Sequence, residues 1–562
     1  MKLIELQIKN FGCIDENGIT IKIDDIVVLI GPNNVGKTTS IRAYEMFANS
    51  GTILKIDDFY QNNENNPVEI AGVFGEITNE DKQQIGEKWI YKNNDKQDVI
   101  KYKWRWEKSG VKGEKYSWYD KEGKWEKGGM GGWDSKIASC IPVPLKISPF
   151  DDSIQLENKI VELLTSAVKE NVKNDQSKVA KLLDQVNDLA NEVKKQIAEE
   201  LNKTTSRLQK NLNEVFPEHN VDIAPQADKI EVDKILATGT HLNVVGNDGK
   251  YYPLANQGSG LQRAFLWSAI EALADTGKMK SGRSTIESEK PKMLLVEEPE
   301  SFLHPPAVRL AREALYKIAE LDNWQVMITT HSPIFIDVSK PHTTIIRVEK
   351  NEGATKIFST EKAQFSDKER ERLQMIRNCH PTINEFFFAN KVILVEGDTE
   401  QVTFSQVKEE RVTIINCRGK ANIPMFEKIL NHFGVEYIAV HDLDTPKSKR
   451  DGKFIKNSMW TINEKIIEEA NKGLNGKVIV NIPDFERQFF GYLQSGDKPY
   501  NAILELQKEE RRNVRDELEK IANGSLSEKY EREITNVSDY KKLGIDYCNE
   551  NDVPMTEIWE FD

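Results

Sequence analysis

The sequence predicts an α/β protein with two parallel-sheet domains and a helical arm set into the first. Three observations predict it. The apolar run at 26–30 ends in Gly31-Pro32-Asn33-Asn34-Val35-Gly36-Lys37-Thr38-Thr39 and passes into a helical pattern. A second apolar run, 293–296, ends in the paired carboxylates Glu297 and Glu298. Between Lys391 and Pro483 four apolar runs, 392–395, 412–415, 437–440 and 477–482, alternate with helical stretches, the pattern of a parallel sheet.

Composition narrows the class. The chain has 562 residues, 38% hydrophobic and 30% charged, enough to bury several cores without disulfides. The net charge of −13 excludes a protein that coats nucleic acid by bulk charge, but not a local basic groove. Five scattered cysteines without a CxxC pair argue against a disulfide scaffold or zinc finger and predict a reducing cytoplasm. No apolar run reaches the roughly 18 residues of a membrane span, and the alternating N-terminus has no signal-peptide core.

The elements follow in order. Residues 3–8 and 18–23 alternate like strands. The segment 86–133 holds six of the ten tryptophans, and Tyr102, Trp104 and Trp106 alternate with Lys101, Lys103 and Arg105. Period two predicts an aromatic face and a basic face on one strand of a small meander. Between Tyr91 and Lys127, 11 basic residues outnumber 7 acidic ones, so this is a candidate surface for guiding DNA, although such aromatics more often form a sheet core. Residues 155–216 read as helix, and Leu182, Val186, Leu189, Val193 and Ile197 carry coiled-coil-like spacing. Residues 305–320 and 366–390 are helical, and the tail beyond Asn501 is helical and charged.

The glycine loop matches GxxxxGK[ST] at Gly31, Gly36, Lys37 and Thr38. Such a loop offers backbone N–H groups to phosphates. In such a loop Lys37 would reach the β/γ-phosphates, and the Thr38 hydroxyl would bind Mg²⁺. Asn33, Asn34 and Thr39 complete the loop. Glu297 is the expected partner of that Mg²⁺ through water, and Glu298 the residue that polarises or positions the attacking water.

The surroundings resemble ABC-type ATPases of the SMC and RecF-like branch. Gln257-Gly258-Ser259-Gly260-Leu261-Gln262-Arg263 looks like their signature loop. Residues 298–305, EPESFLHP, look like the D-loop region, and Thr330-His331-Ser332-Pro333 resembles the switch-histidine loop. Gly12 stands where the family pattern has Arg, Glu297 replaces the commoner Asp, and Gln61 is only a weak Q-loop candidate. The resemblance implies two ATPs sandwiched between the glycine loop of one chain and Ser259 and Gly260 of another, hence a homodimer.

A second constellation lies downstream. The run 392–395 delivers Glu396, and 437–440 delivers His441-Asp442-Leu443-Asp444. Ligand sites in open α/β sheets lie at that carboxyl edge. In an extended chain Asp442 and Asp444 point the same way. Clustered carboxylates suit Mg²⁺ or Mn²⁺. The arrangement looks like the Toprim domain of topoisomerases, primases and OLD-family nucleases. Glu400, the turn containing Gly419 and Lys420, Asp484 and Glu486, and Lys498-Pro499 match further motifs of the OLD (overcoming lysogenization defect) family.

ATPase first and Toprim second is the OLD architecture. It implies an ABC/SMC-like P-loop ATPase formed by 1–150 and 217–365, with the arm 151–216 for dimerisation. A linker, 366–390, leads to a Rossmann-like Toprim domain at 391–562. It also implies a metal-dependent DNA endonuclease, often antiphage, including the nuclease subunit of Gabija systems with a helicase-like partner. Glu396, Glu400, Asp442, Asp444 and Glu486 are the expected metal ligands or water-positioning groups, and Glu396 could double as general base. Lys498 is the expected phosphate neutraliser, with Asp484 and Lys420 second choices. Two alternatives stand beside this reading: a topoisomerase- or primase-like enzyme, and a non-nucleolytic SMC-like ATP switch.

Overall fold

The computed structural model describes residues 1–128, 137–158, 242–280, 291–359, 381–524 and 530–560, with short breaks inside these spans. The coiled-coil-like stripe of the expected arm and residues 366–380 lie outside the described residues. The described chain forms two compact units. One comprises Met1–Lys146, Ser288–Pro299 and Asn323–Asp562; the other comprises Ile147–Glu287 and Glu300–Asp322.

The larger unit opens with an antiparallel sheet. Its strands are β1 (Lys2–Lys9), β2 (Ile19–Lys22), β4 (Val68–Gly75), β6 (Asp98–Trp106), β7 (Glu114–Tyr119) and β8 (Lys124–Lys127), in the order β2-β1-β4-β6-β7-β8, with β5 (Tyr91–Lys92) paired to β6. Alternation along β6 divides its side chains as expected. Tyr102, Trp104 and Trp106 are buried in the core, and the Trp106 indole donates to the Thr52 carbonyl at 2.6 Å. On the other face Lys103 lies 4.6 Å from the centre of the Trp125 ring and 2.8 Å from Glu69. Arg105 also meets Glu69, at 3.6 Å, so two of the three basic residues alternating on β6 are paired within the sheet.

The second sheet carries β3 (Ile26–Ile30), β9 (Val143–Ile147), β12 (Lys292–Glu297), β13 (Trp324–Thr329), β14 (Thr343–Asn351) and β15 (Ala354–Ser359), in the order β15-β14-β3-β13-β12-β9. β3 runs parallel to both β13 and β14, and β12 runs parallel to β13. All five residues of β3 are buried, as an apolar run covered on both faces requires. The carboxyl ends of β3, β13 and β12 therefore share one edge, and each opens into an expected nucleotide-site segment.

A third sheet follows in the same unit. β16 (Lys391–Val395), β17 (Val412–Asn416), β18 (Glu436–Asp442) and β21 (Gly476–Asn481) are parallel in the order β17-β16-β18-β21, and the short β22 (Glu533–Ile534) adds antiparallel. The hairpin β19 (Lys447–Arg450) and β20 (Lys453–Lys456) lies after β18. The buried Arg347 of β14 ties the second sheet to the third. It donates to the carbonyls of Phe433 at 2.9 Å and Ala389 at 3.0 Å, just ahead of β18 and β16. The described end of the expected helical linker, Pro381–Phe388, is 3-10 rather than α-helical.

In the smaller unit, β10 (Asn243–Val245) and β11 (Tyr251–Pro253) form a hairpin ahead of the helix Ser259–Lys280, which packs on the helix Pro305–Ala319. Among the described residues no helix is long and apolar enough to cross a membrane.

Candidate functional site

The glycine loop turns directly out of β3. Gly31 has φ +138°, and a Cβ there would meet the Val348 carbonyl oxygen at 2.1 Å, so only glycine fits. Asn34 and Gly36 also have positive φ, which curls the loop before the helix Lys37–Ala48. The Lys37 ammonium arches back over the loop, donating to the carbonyls of Gly31 at 2.8 Å and Pro32 at 2.6 Å. Asn33, Asn34 and Thr38 are exposed on the loop, and Thr39 is half-buried. Helix N-terminus, loop amides and ammonium together make an arrangement suited to an anion. Gly12, where the ATPase pattern has Arg, packs against it. A Cβ at Gly12 would meet Thr39 Cγ2 at 2.9 Å.

The carboxylates of β12 stand at the same edge. Glu297, 8% exposed, is held by Lys146 at 3.1 Å, and Lys146 also reaches Glu45 at 3.3 Å. Burial disfavours charge on Lys146, but the two carboxylates outweigh it and raise its pKa. Glu298 has φ +45°, and its N–H donates to the Thr329 carbonyl at 2.8 Å. His331 follows β13. Partial burial and then the Lys37 ammonium hold its imidazole below the ordinary value, while Glu298 pulls the other way. Lys37 and Glu298 thus act on His331 from opposite sides of the charge balance.

Ser259 and Gly260 belong to the smaller unit. Ser259 is exposed in the first turn of its helix, and the loop before it is braced by the Gln262 amide, which donates to Gln257 O at 2.8 Å and Leu254 O at 3.1 Å. Gln61, the weak Q-loop candidate, sits in a left-handed turn at φ 53°.

The second constellation gathers at the carboxyl edge of the third sheet. β16 delivers Glu396, and the helix Asp398–Ser405 places Glu400 one turn on, facing back toward Gly397. Glu396 Oε1 accepts the Asp442 N–H at 2.8 Å. Asp442 ends β18, and its Oδ1 accepts from Phe485 N at 2.8 Å and Asn481 Nδ2 at 3.3 Å. Lys420, 2% exposed, donates to Asp444 Oδ2 at 2.7 Å and to the Asp442 carbonyl. Lys498 pairs with Glu486 at 2.9 Å, which raises the lysine's pKa. Asp484 caps the helix Phe485–Phe490 through Arg487 N at 2.9 Å.

The electrostatics follow from burial. Desolvation pushes Glu396 up to about 7 against the pull of Lys420, and Glu400 and Asp444 push the same way. Glu400 is pushed up to about 8 by burial, by Asp442 and by Glu486. Asp442 is raised well above the carboxylate range by burial and by Glu396. Three carboxyls crowd each other at one sheet edge. Among the described residues no three such side chains stand as a ready-made cation cage. The donor set is nonetheless all oxygen, crowded and desolvated, the chemistry that a hard divalent cation relieves.

Two expectations need revision. Asp442 and Asp444 do not share a direction as members of an extended strand. Asp444 has φ +61°, and the chain turns there. Asp442 faces Phe485 N and Asn481, whereas Asp444 faces Lys420. Lys420, a second choice on sequence, is the cation set deepest against the Asp-x-Asp pair. His441 is fully buried, with Nε2 2.9 Å from the Tyr540 hydroxyl and Nδ1 2.9 Å from the Asp442 carbonyl, so both ring nitrogens are engaged within the fold. Sequence reasoning missed Asn481. The edge rule that found Glu396 and Asp442 points equally to Asn481, the last residue of β21. It also missed Lys146, whose role depends on contacts remote in sequence.

The AAA ATPase domain family matches residues 1–127 and 146–336, more than half of the chain. A second family, described as Overcoming lysogenization defect protein-like, TOPRIM domain, matches residues 387–444. The chain belongs to the AAA ATPase domain family, and a TOPRIM domain like that of the OLD family follows. Relatives include the Old nuclease of Escherichia phage P2, 24% identical over 79% of this chain and 77% of that protein. The OLD nuclease of Thermus scotoductus is 27% identical over 45% of this chain and 48% of that protein. Endonuclease GajA of Bacillus cereus is 23% identical over 81% and 76%. Among solved structures, an SmcHead bound to the C-winged helix domain of ScpA matches at 14% identity and a TM-score of 0.34. It covers 64% of this chain and 97% of its own. The SMC head domain from Thermotoga maritima matches at 14% and 0.31, over 64% and 98%. The ATPase and TOPRIM domains imply, in general, use of a nucleotide and a divalent metal.

Proposed function

We propose that this chain is an ATP-regulated, divalent-metal-dependent DNA endonuclease working in antiphage defence. The observation that carries the reading is the convergence of Glu396, Glu400 and Asp442 on one sheet edge, with Lys420 beside them. Three relatives with names ending in nuclease or naming an endonuclease support it.

Mg²⁺ or Mn²⁺, when bound, supplies an activated water and charge for the leaving oxygen of a phosphodiester. Glu396, Glu400, Asp442, Asp444 and Glu486 would hold the ions and orient the water. Glu396, pushed up to about 7, can take a proton near neutral pH. Lys498 and Lys420 offset negative charge where the phosphate lands.

In the ATPase part, Gly31, Asn33, Asn34, Gly36, Lys37, Thr38 and Thr39 would cradle the phosphates. Thr38 and Glu297 would serve the accompanying Mg²⁺, Glu298 the attacking water, and His331 the γ-phosphate side. Exposed Ser259 and neighbouring Gly260 suit contact with the nucleotide of a second copy, giving a homodimer. A cytoplasmic setting and a helicase-like partner, both implied by the OLD resemblance, complete the proposal.

The test is incubation with supercoiled plasmid and Mg²⁺ or Mn²⁺, with and without ATP. Metal-dependent nicking that Glu396→Ala abolishes supports the reading. Intact DNA under every condition, or equal cutting by Glu396→Ala, overturns it.

A further inference from the structure

The donors that fix Asp442 converge on one distant side chain. Asn481 is fully buried at the end of β21, and its amide lies between Asp442 and Arg532. Arg532 Nη1 donates to Asn481 Oδ1 at 3.1 Å, and Asn481 Nδ2 donates to Asp442 Oδ1 at 3.3 Å. A guanidinium has donors only. Arg532 therefore forces the Asn481 carbonyl toward itself and the Asn481 NH₂ toward Asp442. Without it, the amide is free to flip and turn an oxygen on the carboxylate.

The second donor to Asp442 is Phe485 N, at 2.8 Å, in the first turn of the helix Phe485–Phe490. Arg532 braces that helix too, lying 4.9 Å from the centre of the Phe489 ring. Arg532 is 8% exposed and is itself anchored by Glu517 at 2.6 Å and by the Tyr530 hydroxyl. One side chain from the C-terminal extension thus supports both donors that orient the Asp442 carboxylate, the Asn481 amide and the Phe485 backbone N–H.

We infer that Arg532 and Asn481 are positioning residues for Asp442, and that Arg532, anchored by Glu517, sets the orientation through which the carboxylate meets a divalent cation. Neither residue needs to touch DNA. The inference rests on the metal-dependent nuclease reading and adds to it a required element outside the sheet-edge carboxylates. Outer partners of metal-binding side chains commonly change metal affinity or activity by about 10–100-fold when removed.

The test compares the wild type, Arg532→Gln, Asn481→Asp, the milder Glu517→Gln, and Lys477→Gln as a surface control. Two readouts are taken on the full chain: Mn²⁺ binding by calorimetry, and Mn²⁺ half-saturation of plasmid nicking with the KM for DNA measured separately. Arg532→Gln and Asn481→Asp are expected to weaken Mn²⁺ by about tenfold or more, with the DNA KM unchanged. Glu517→Gln shifts the same way by less, and Lys477→Gln leaves both readouts unchanged. If Arg532→Gln fails to fold, Glu517→Gln and Asn481→Asp decide. Variants that melt like the wild type and bind Mn²⁺ equally well overturn the inference. So does a loss confined to the DNA KM. A wild type that binds Mn²⁺ but cuts nothing overturns the nuclease reading instead, and the binding comparison alone then decides whether Arg532 and Asn481 position Asp442.

Discussion

The Lys420 ammonium sits 2.7 Å from Asp444 Oδ2 and also takes the Asp442 carbonyl, so one buried cation holds both ends of the Asp-x-Asp turn. The same ammonium draws Glu396 down, against the burial that pushes that carboxyl up to about 7. Lys420→Met removes that pull, so the Glu396 pKa rises further. The acid limb of the cleavage profile should move to higher pH, by about one unit, and activity at pH 7 should fall roughly fivefold. A profile measured from about pH 6 to 9.5 checks this. An unmoved limb would show that Lys420 acts on Asp444 alone.

Metal and proton compete for the same buried carboxyls. Glu396 and Glu400 have folded-state pKa values of about 7 and about 8, above the ordinary value of 4.5. The native state therefore binds their protons more tightly than the unfolded chain. The stability they contribute is complete below about pH 4.5 and is lost as pH rises through about 7 to 8. In EDTA, the melting temperature should fall by several degrees between about pH 6 and 8.5. Saturating Mn²⁺ should remove most of that fall, because the cation stabilises the ionised carboxylates, and Glu400→Gln should flatten the EDTA curve. Differential scanning calorimetry across pH tests all three outcomes.

The nucleotide cradle and the carboxylate edge are separate chemical sites. Lys37→Ala removes the ammonium that caps the loop carbonyls of Gly31 and Pro32. Affinity for a fluorescent ATP analogue should drop about 100-fold or more, which corresponds to roughly 2.7 kcal/mol. Mn²⁺ binding at the carboxylate edge, measured without nucleotide, should stay at the wild-type value. A parallel loss of both would show that Lys37 supports the whole fold.

Gly31 is fixed by geometry as well as by chemistry. Its φ is +138°, and a Cβ would meet the Val348 oxygen at 2.1 Å. Gly123 has φ +61° but opens into free space. Gly31→Ala should cost about 3 kcal/mol or more and abolish nucleotide binding, whereas Gly123→Ala should cost about 1 kcal/mol and leave it intact. Chemical denaturation of the two variants side by side makes the comparison.

The sequence carried the parts of the fold that are local. Strand, glycine loop and helix are adjacent in the chain, so residues 26–48 were readable from pattern alone, as was the inward face of Tyr102, Trp104 and Trp106. Glu396 and Asp442 were readable because an apolar strand announces its own carboxyl end. What was not readable depends on contacts far apart in the chain. Lys146 meets Glu297 across 151 residues, and Arg532 reaches Asn481 across 51. The turn at Asp444 was hidden for another reason: alternation predicts side-chain direction only while the strand continues, and the strand stops at Asp442.

The most direct measurement is the chemistry of the cut. Closed circular DNA is treated with the wild type and with Glu396→Ala in Mn²⁺, then denatured, resolved, and tested for religation and for protein attached to DNA. Metal-dependent hydrolysis at Glu396, Glu400 and Asp442 predicts nicked or linear product with free ends, no covalent protein adduct, and no product with Glu396→Ala. Protein covalently joined to a DNA end, or equal cutting by Glu396→Ala, would contradict it.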